Sequence, residues 1–386
     1  EKLMLTSDIK FVTFKKKSKV KKIKNILNNL IIEDNSIIQS LSKKYKDGFD
    51  NKFIKKYKKS NNFRLFGMGG STLGSQAIYQ FLKNKVKKKF DFIDNLQSIS
   101  KSNKTKYTNL IISKSGNTIE TLVNANILIK KNDKNIIITE NKKNYLFLLA
   151  NELKAEVIHH NNFIGGRYSV LSEVGMLPAE LMGLKSKEFR QFNSLIKSKR
   201  FINHLINNVS STLLLVKKKK FNSIIINYDE RSENFFKWYQ QLISESLGKK
   251  GKGLLPIVSN MPKDNHSVMQ LYLDGFKNNF YTFFIVNEGK SEGIKNKNLL
   301  SSHDFLKNKN LSEIIFAQKK ATETVFKNKN LPFRSFEIKK RNEKTLGELF
   351  CFFILETILL GRSLNLNPFD QPAVELIKKE TRKILL

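Results

Sequence analysis

Glu245 lies in the stretch Gln241-Leu242-Ile243-Ser244-Glu245-Ser246-Leu247-Gly248-Lys249. It follows Gln241 by four residues, so a helix would place both side chains on one face. Gly248 and Lys249 mark the end of that helix. A carboxylate near the C-terminal end of a helix is a candidate general base, because the helix dipole there opposes its negative charge. The same features describe a surface glutamate beside Lys249, and the local sequence leaves both readings open.

Two hydroxyl-rich turns upstream add a second kind of chemistry. One is Gly67-Met68-Gly69-Gly70-Ser71 and the other is Ser113-Lys114-Ser115-Gly116-Asn117-Thr118; each follows an apolar run and precedes a helical pattern. Helix N-termini present free backbone N–H groups, and Ser113, Ser115 and Thr118 would add hydroxyls to such a cradle for an anion. Gly116 lets the backbone turn sharply and come close to a ligand. The Gly67–Gly70 run lacks dinucleotide spacing and no P-loop lysine follows, so nucleotides are disfavoured. Ordinary helix capping explains either loop alone equally well. Two such loops in one domain favour a phosphate site, and a phosphate site with a base implies proton transfer on a phosphorylated small molecule.

His266, one of five histidines, opens a helical stretch and suits proton transfer to a ring oxygen, although capping or burial accounts for a lone histidine as well. Arg167 follows Gly165-Gly166, where a backbone without side chains could admit a ligand beside the guanidinium; a structural ion pair is the alternative. Lys378 is unremarkable among 70 Lys and Arg residues. The adjacent His159 and His160 would point oppositely on a strand and make a poor metal pair. With one cysteine, Cys351, and no helical histidine pair, no metal site is expected.

The elements that must position these groups alternate. Phe63–Phe66, Asn109–Ile112 and Asn135–Thr139 read as strands separated by helices, and Asn222–Asn227, Leu254–Ser259 and Phe280–Val286 form a second set. This predicts an α/β chain with parallel sheets and helices on both faces. A helix is expected around Ile23–Ile32 and a largely helical connection over Ser169–Val216. Leu349–Leu360 reads as a buried core helix too short to cross a bilayer. Pro368 and Pro372 precede a final helix, with Pro372 suited to its first turn.

The 386 residues suffice for two domains, and 40% hydrophobic residues with 30 Phe indicate a folded chain. The net charge of +36 invites a polyanion reading. The lysines are instead scattered, with short runs at Lys15–Lys17, Lys87–Lys89 and Lys217–Lys220, and no nucleic-acid module is present. A solvated basic surface is expected, with no specific nucleic acid or membrane partner. The lone cysteine and the lack of an apolar leader predict a reduced, cytoplasmic protein.

Taken together, these segments resemble the glucose-6-phosphate isomerase family in its short bacterial form, in order from about Phe66 to Leu386. Gly67–Gly74 and Ser113–Thr121 look like its sugar-phosphate loops. Gly165-Gly166-Arg167-Tyr168-Ser169 with Val174-Gly175-Met176-Leu177-Pro178, the Glu245 segment, and Asn367-Pro368-Phe369-Asp370-Gln371-Pro372-Ala373-Val374-Glu375 are similar to further signatures. Ser244 and Ala373 stand where many members have glycine. The resemblance implies two sugar-isomerase-type αβα domains (residues 46–195 and 196–386), an N-terminal helical arm (1–45) and C-terminal helices.

It also implies roles. Glu245 would be the base, His266 and Lys378 would assist ring opening, and Arg167 would stabilise an enediolate. Gly70, Ser71, Ser113, Lys114, Ser115, Thr118 and Gln241 would hold the sugar phosphate. No cofactor or metal would be needed, and a homodimer would form with His266 supplied by the neighbouring subunit. Relatives with dual glucose and mannose activity share these loops. A sugar-phosphate-binding regulatory module and a polyanion-binding protein are the competing readings; the first conflicts with the joint presence of Glu245, His266 and Lys378.

Overall fold

The computed structural model describes residues 3–14, 20–96, 105–130, 132–289, 291–294 and 301–386. The basic run Lys15–Lys17 lies outside the described residues. The strands are β1 (Ile9–Val12), β2 (Asn62–Phe66), β3 (Lys89–Ile93), β4 (Thr108–Ile112), β5 (Lys134–Glu140), β6 (Glu156–His160), β7 (Asn222–Asn227), β8 (Leu255–Asn260), β9 (Asn279–Val286) and β10 (Phe333–Ile338). They form two five-stranded sheets, ordered β3-β2-β4-β5-β6 and β1-β10-β9-β7-β8. The first sheet is parallel throughout. The second is parallel apart from β1, which pairs antiparallel with β10 at the edge.

Burial on both faces explains the apolar strands. All five residues of β4 are buried. Leu110, Ile112, Ile136 and Ile138 join one hydrophobic layer, while Phe66, Ile111 and Ile137 join another on the opposite face. This is the two-residue alternation of a strand placed between two helical layers. The second sheet repeats the pattern. Ile225, Phe280, Phe284 and Phe336 face the first layer, and Ile224, Ile226, Tyr281 and Phe283 face a third. The shared layer thus runs between the two sheets, and the helix Glu233–Leu247 packs there on the helix Leu73–Phe81.

In the first sheet the chain runs outward from β2 to β3, then returns past β2 to β4. Connections therefore leave the adjacent β2 and β4 toward opposite sides, which opens a crevice at their carboxyl ends. Both hydroxyl turns begin there. The second sheet makes the same reversal between β7 and β9.

The core-helix reading of Leu349–Leu360 holds: these residues lie inside the helix Glu343–Ser363, buried from Thr345 to Gly361. The arm differs from expectation in one respect. Its helix Val20–Ile32 is present, burying Ile23, Leu27 and Leu30 against the helices Lys199–Lys217 and Glu343–Ser363. Yet Ile9–Val12 is a strand, with Ile9 and Phe11 fully buried. Pro372 lies just outside the terminal helix, which spans Val374–Leu385. Among the described residues no helix is long and apolar enough to cross a membrane.

Candidate active site

Glu245 sits in the last turn of the helix Glu233–Leu247, which ends at Gly248 as the spacing predicts. Its carboxylate is held at both oxygens. Gln241 Nε2 donates to Oε1 at 2.9 Å, the one-face arrangement expected of residues four apart. Arg167 Nη1 donates to Oε2 at 3.2 Å. The side chain stays 28% exposed, so it is oriented without being sealed. Lys249 does not pair with it; its ammonium bonds Asp370 Oδ1 at 2.6 Å and the Asn367 carbonyl. That bond from Lys249, ahead of any charge effect, holds the Asp370 carboxyl below its ordinary range.

Arg167 is fully buried, in the short helical turn Gly166–Leu171. Burial of a guanidinium requires that its N–H groups be matched. Nε donates to Ser246 Oγ at 2.8 Å, Nη1 also to Gln371 Oε1 at 2.7 Å, and Nη2 to the carbonyls of Pro368 at 2.7 Å and Asp370 at 3.1 Å. One side chain therefore joins three stretches far apart in sequence. An ion pair and a ligand-facing cation were alternatives for Arg167; it makes the ion pair, and its partner is the candidate base.

The glycine turn after β2 reaches the same place. Gly69 adopts φ +52°, and a Cβ built there would stand 2.8 Å from Gln241 Nε2. A Cβ on Gly67 would stand 3.0 Å from the Ile112 carbonyl, at the start of the second turn. The two turns are thus neighbours across the crevice.

In the second turn Ser113 Oγ bonds Thr118 Oγ1 at 2.8 Å. Thr118 occupies the N-cap position of the helix Ile119–Leu128 but makes no capping bond with its side chain. Capping therefore fails to explain this threonine. Ser115 is exposed, and its Oγ accepts from the Asn117 backbone N–H at 3.3 Å. Gly116 has φ +67° and lies against Asn144, whose Oδ1 would be 2.0 Å from an added Cβ. Lys114 turns to the other side, bonding the Asn162 carbonyl at 2.7 Å and facing Glu140 at 3.5 Å.

Two expected residues are not brought to Glu245 within the chain. His266 is exposed at the end of the turn Lys263–His266, beyond β8. Lys378 is exposed on the terminal helix and pairs with Glu375 at 2.6 Å. Neither has a contact with the Arg167–Glu245 pair. His159 is exposed and His160 buried, on opposite faces of β6. Among the described residues no group of three His, Cys, Asp or Glu side chains is placed to hold a metal.

A cleft of about 520 Å³ opens beside Glu245, lined also by Ser244, Lys249, Asn367, Gln371 and Ala373. The hydroxyl turns do not line it; the first reaches Gln241 through Gly69, and the second lies beside the first at Gly67. Gln371, Ser246 and Tyr168 were not singled out by the sequence reading. Their signal was available, since each stands inside a motif, next to a residue that was.

A family model described as phosphoglucose isomerase matches residues 36–386. A glucose-6-phosphate isomerase of Methanocaldococcus jannaschii is 32% identical, covering 92% of each chain. One of Campylobacter jejuni is 31% identical, covering 86% of this chain and 87% of its own. Among solved structures, a hypothetical protein of Thermus thermophilus superposes with TM-score 0.80 at 23% identity, covering 95% of this chain and 94% of the other. A glucose-6-phosphate isomerase of Chlamydia trachomatis gives 0.69 at 20%, covering 86% and 71%. The structural likeness shows the fold, and the family model with the relatives above 30% identity shows the lineage: this chain belongs to the phosphoglucose isomerase family.

Proposed function

We propose that the chain interconverts glucose 6-phosphate and fructose 6-phosphate, with Glu245 moving a proton between C2 and C1 of the opened sugar. The observation that supports this most is the Glu245 carboxylate itself: oriented by Gln241 and Arg167, partly exposed, and next to the glycine turn at the switch point. Removing the C2 proton produces an enediolate, and its developing charge needs a fixed cation. In this reading the buried Arg167 guanidinium, whose Nη1 bonds Glu245 and Gln371, supplies that charge beside the base. Gln241 Oε1 is buried with no hydrogen-bond partner, an acceptor suited to a sugar hydroxyl.

In this reading Gly70, Ser71, Ser113, Ser115 and Thr118 hold the phosphate, so its binding energy orients the reacting carbons. Lys114, its ammonium turned to the Asn162 carbonyl and Glu140, adds positive charge only at a distance. His266 and Lys378 assist ring opening, with His266 of the partner subunit completing each site of a homodimer. Two features support that last step. His266 is exposed, with no hydrogen bond to the Glu245 of its own chain, and the terminal helix leaves Leu376, Ile377, Ile384 and Leu385 exposed. Residues 46–195 and 196–386 act as the two sugar-isomerase domains, and the arm 1–45 serves the second through β1.

A coupled assay converting fructose 6-phosphate to glucose 6-phosphate, run beside mannose 6-phosphate, tests the reading. Turnover is expected with the first pair. No turnover with either would overturn it.

A further inference from the structure

Arg167, Ser246, Tyr168 and the Pro368 carbonyl form a closed hydrogen-bonded ring. Arg167 Nε donates to Ser246 Oγ at 2.8 Å, and Ser246 Oγ lies 2.8 Å from the Tyr168 hydroxyl. Tyr168 donates to the Pro368 carbonyl at 3.0 Å, and Arg167 Nη2 reaches the same carbonyl at 2.7 Å. All three side chains are buried.

The direction of every bond in the ring follows from counting protons. Tyr168 has one hydroxyl proton, and the carbonyl takes it. Ser246 must therefore donate to Tyr168, which leaves its lone pairs for Arg167 Nε. The proton order is Arg167 to Ser246, Ser246 to Tyr168, Tyr168 to Pro368. Burial pushes the Tyr168 hydroxyl above its ordinary range, so it stays a donor. The three bonds from Arg167 through Ser246 and Tyr168 to the Pro368 carbonyl run in one sense and strengthen one another, while Arg167 Nη2 closes the ring by donating to the same carbonyl from its other side.

The ring grips two edges of the guanidinium and leaves the third, Nη1, aimed at Glu245 and Gln371. We propose that Ser246 is a positioning residue for the isomerisation, setting through this ring the angle at which Arg167 faces the base. The proposal rests on the isomerase reading above. Ser246 touches no reacting atom; it acts through Arg167. Through Arg167 and Tyr168 it also links the helix turn that carries Glu245 to the Pro368 carbonyl.

The test compares wild type, Glu245→Gln, Ser246→Ala, Tyr168→Phe and the double variant Tyr168→Phe/Ser246→Ala in the same assay. Thermal melts run alongside. Ser246→Ala is expected to lower kcat by about 10- to 100-fold, the scale of one bond to a charged group, with KM within about threefold. Tyr168→Phe should lower kcat less, by about three- to tenfold, since Ser246 still accepts from Arg167. The double variant should match Ser246→Ala alone, because both changes break one ring.

A kcat for Ser246→Ala equal to wild type, with Glu245→Gln inactive, would overturn the positioning role and leave the isomerase reading intact. Inactive wild type would overturn the isomerase reading and this proposal with it. Falls that multiply in the double variant would show two independent contacts and sink the ring. Should Ser246→Ala not fold, Tyr168→Phe decides: unchanged kcat there overturns the proposal.

Discussion

Gly70 and Gly166 meet backbone to backbone: a Cβ built on Gly70 would stand 2.1 Å from the Gly166 carbonyl carbon and 2.7 Å from the Arg167 nitrogen. The turn after β2 therefore lies directly on the segment that carries Arg167. Neither contact is with a flexible side chain, so neither can yield cheaply. Gly70→Ala is expected to cost about 1–3 kcal/mol of stability through overpacking. Because the strain falls on Arg167, kcat/KM should drop by at least about tenfold even where the fold survives. Urea denaturation and the isomerase assay on one preparation measure both. Full activity in this variant would mean that the site does not depend on the close approach.

The Ser113–Thr118 pair makes a different prediction. Their hydroxyls bond each other, one donating and the other keeping its proton, which holds the second turn in shape and leaves an O–H and backbone N–H groups to donate to a phosphate. Ser113→Ala with Thr118→Val removes both hydroxyls at little change in volume. KM for fructose 6-phosphate should rise by about 10- to 100-fold, as expected for lost bonds to a charged group, with kcat changed less. An unchanged KM would place the phosphate elsewhere.

How much of this could be read from the chain depended on how far apart the interacting residues lie. The pairing of Gln241 with Glu245 follows from helix periodicity and needs no tertiary information. The strands β4, β5 and β7 are legible because they are buried on both faces and carry an unbroken apolar stretch, Leu110–Ile112, Ile136–Ile138 and Ile224–Ile226. Three strands were not read. Lys89–Ile93 follows a lysine run, Phe333–Ile338 carries Arg334 and Glu337, and Ile9–Val12 is a short edge strand in a lysine-rich arm. In each the charge obscures the period. The grip on Arg167 was the least legible feature. Its partners Ser246, Pro368, Asp370 and Gln371 lie tens to hundreds of residues away, and only folding brings them to one guanidinium. Lys319 shows the same limit: it is one lysine among many in the sequence, yet it is fully buried.

Lys319 and Glu323 yield a pH prediction. Lys319 donates to Glu323 Oε1 at 2.6 Å and to Ser335 at 2.8 Å. Burial opposes ionisation of Glu323, but the charge and hydrogen bond of Lys319, with Ser335 and Lys320, outweigh it and hold the carboxyl below its ordinary range. Such a group binds its proton more readily in the unfolded chain. Its stabilising contribution is therefore complete above the unfolded value of about 4.3 and is lost as pH falls through the lower folded value. Glu323→Gln should reduce the loss of stability on acidification below about pH 4.3. At neutral pH it should cost about 3 kcal/mol, because it leaves the Lys319 ammonium buried without its charge partner. Urea midpoints from pH 3 to 7 for both proteins check the two effects together. Parallel curves would remove Glu323 from the acid response.

If His266 acts at the partner's Glu245, the two residues are separable by mixing. Glu245→Gln alone should lower kcat by about two to four orders of magnitude with the fold kept, the usual contribution of a general base. His266→Ala alone should also be impaired. In a dimer with two-fold symmetry each site takes Glu245 from one chain and His266 from the other. A mixed dimer of the two variants then holds one site with both defects and one site with neither. Unfolding the variants together and refolding them at equal amounts makes half the dimers mixed. Activity should recover to about a quarter of the wild-type value, far above either variant alone. Variants refolded separately and then assayed together supply the control, since no chains exchange. If His266 instead serves the Glu245 of its own chain, every site in the mixture carries a defect and co-refolding restores nothing. The size of the recovery therefore distinguishes a shared site from a self-contained one.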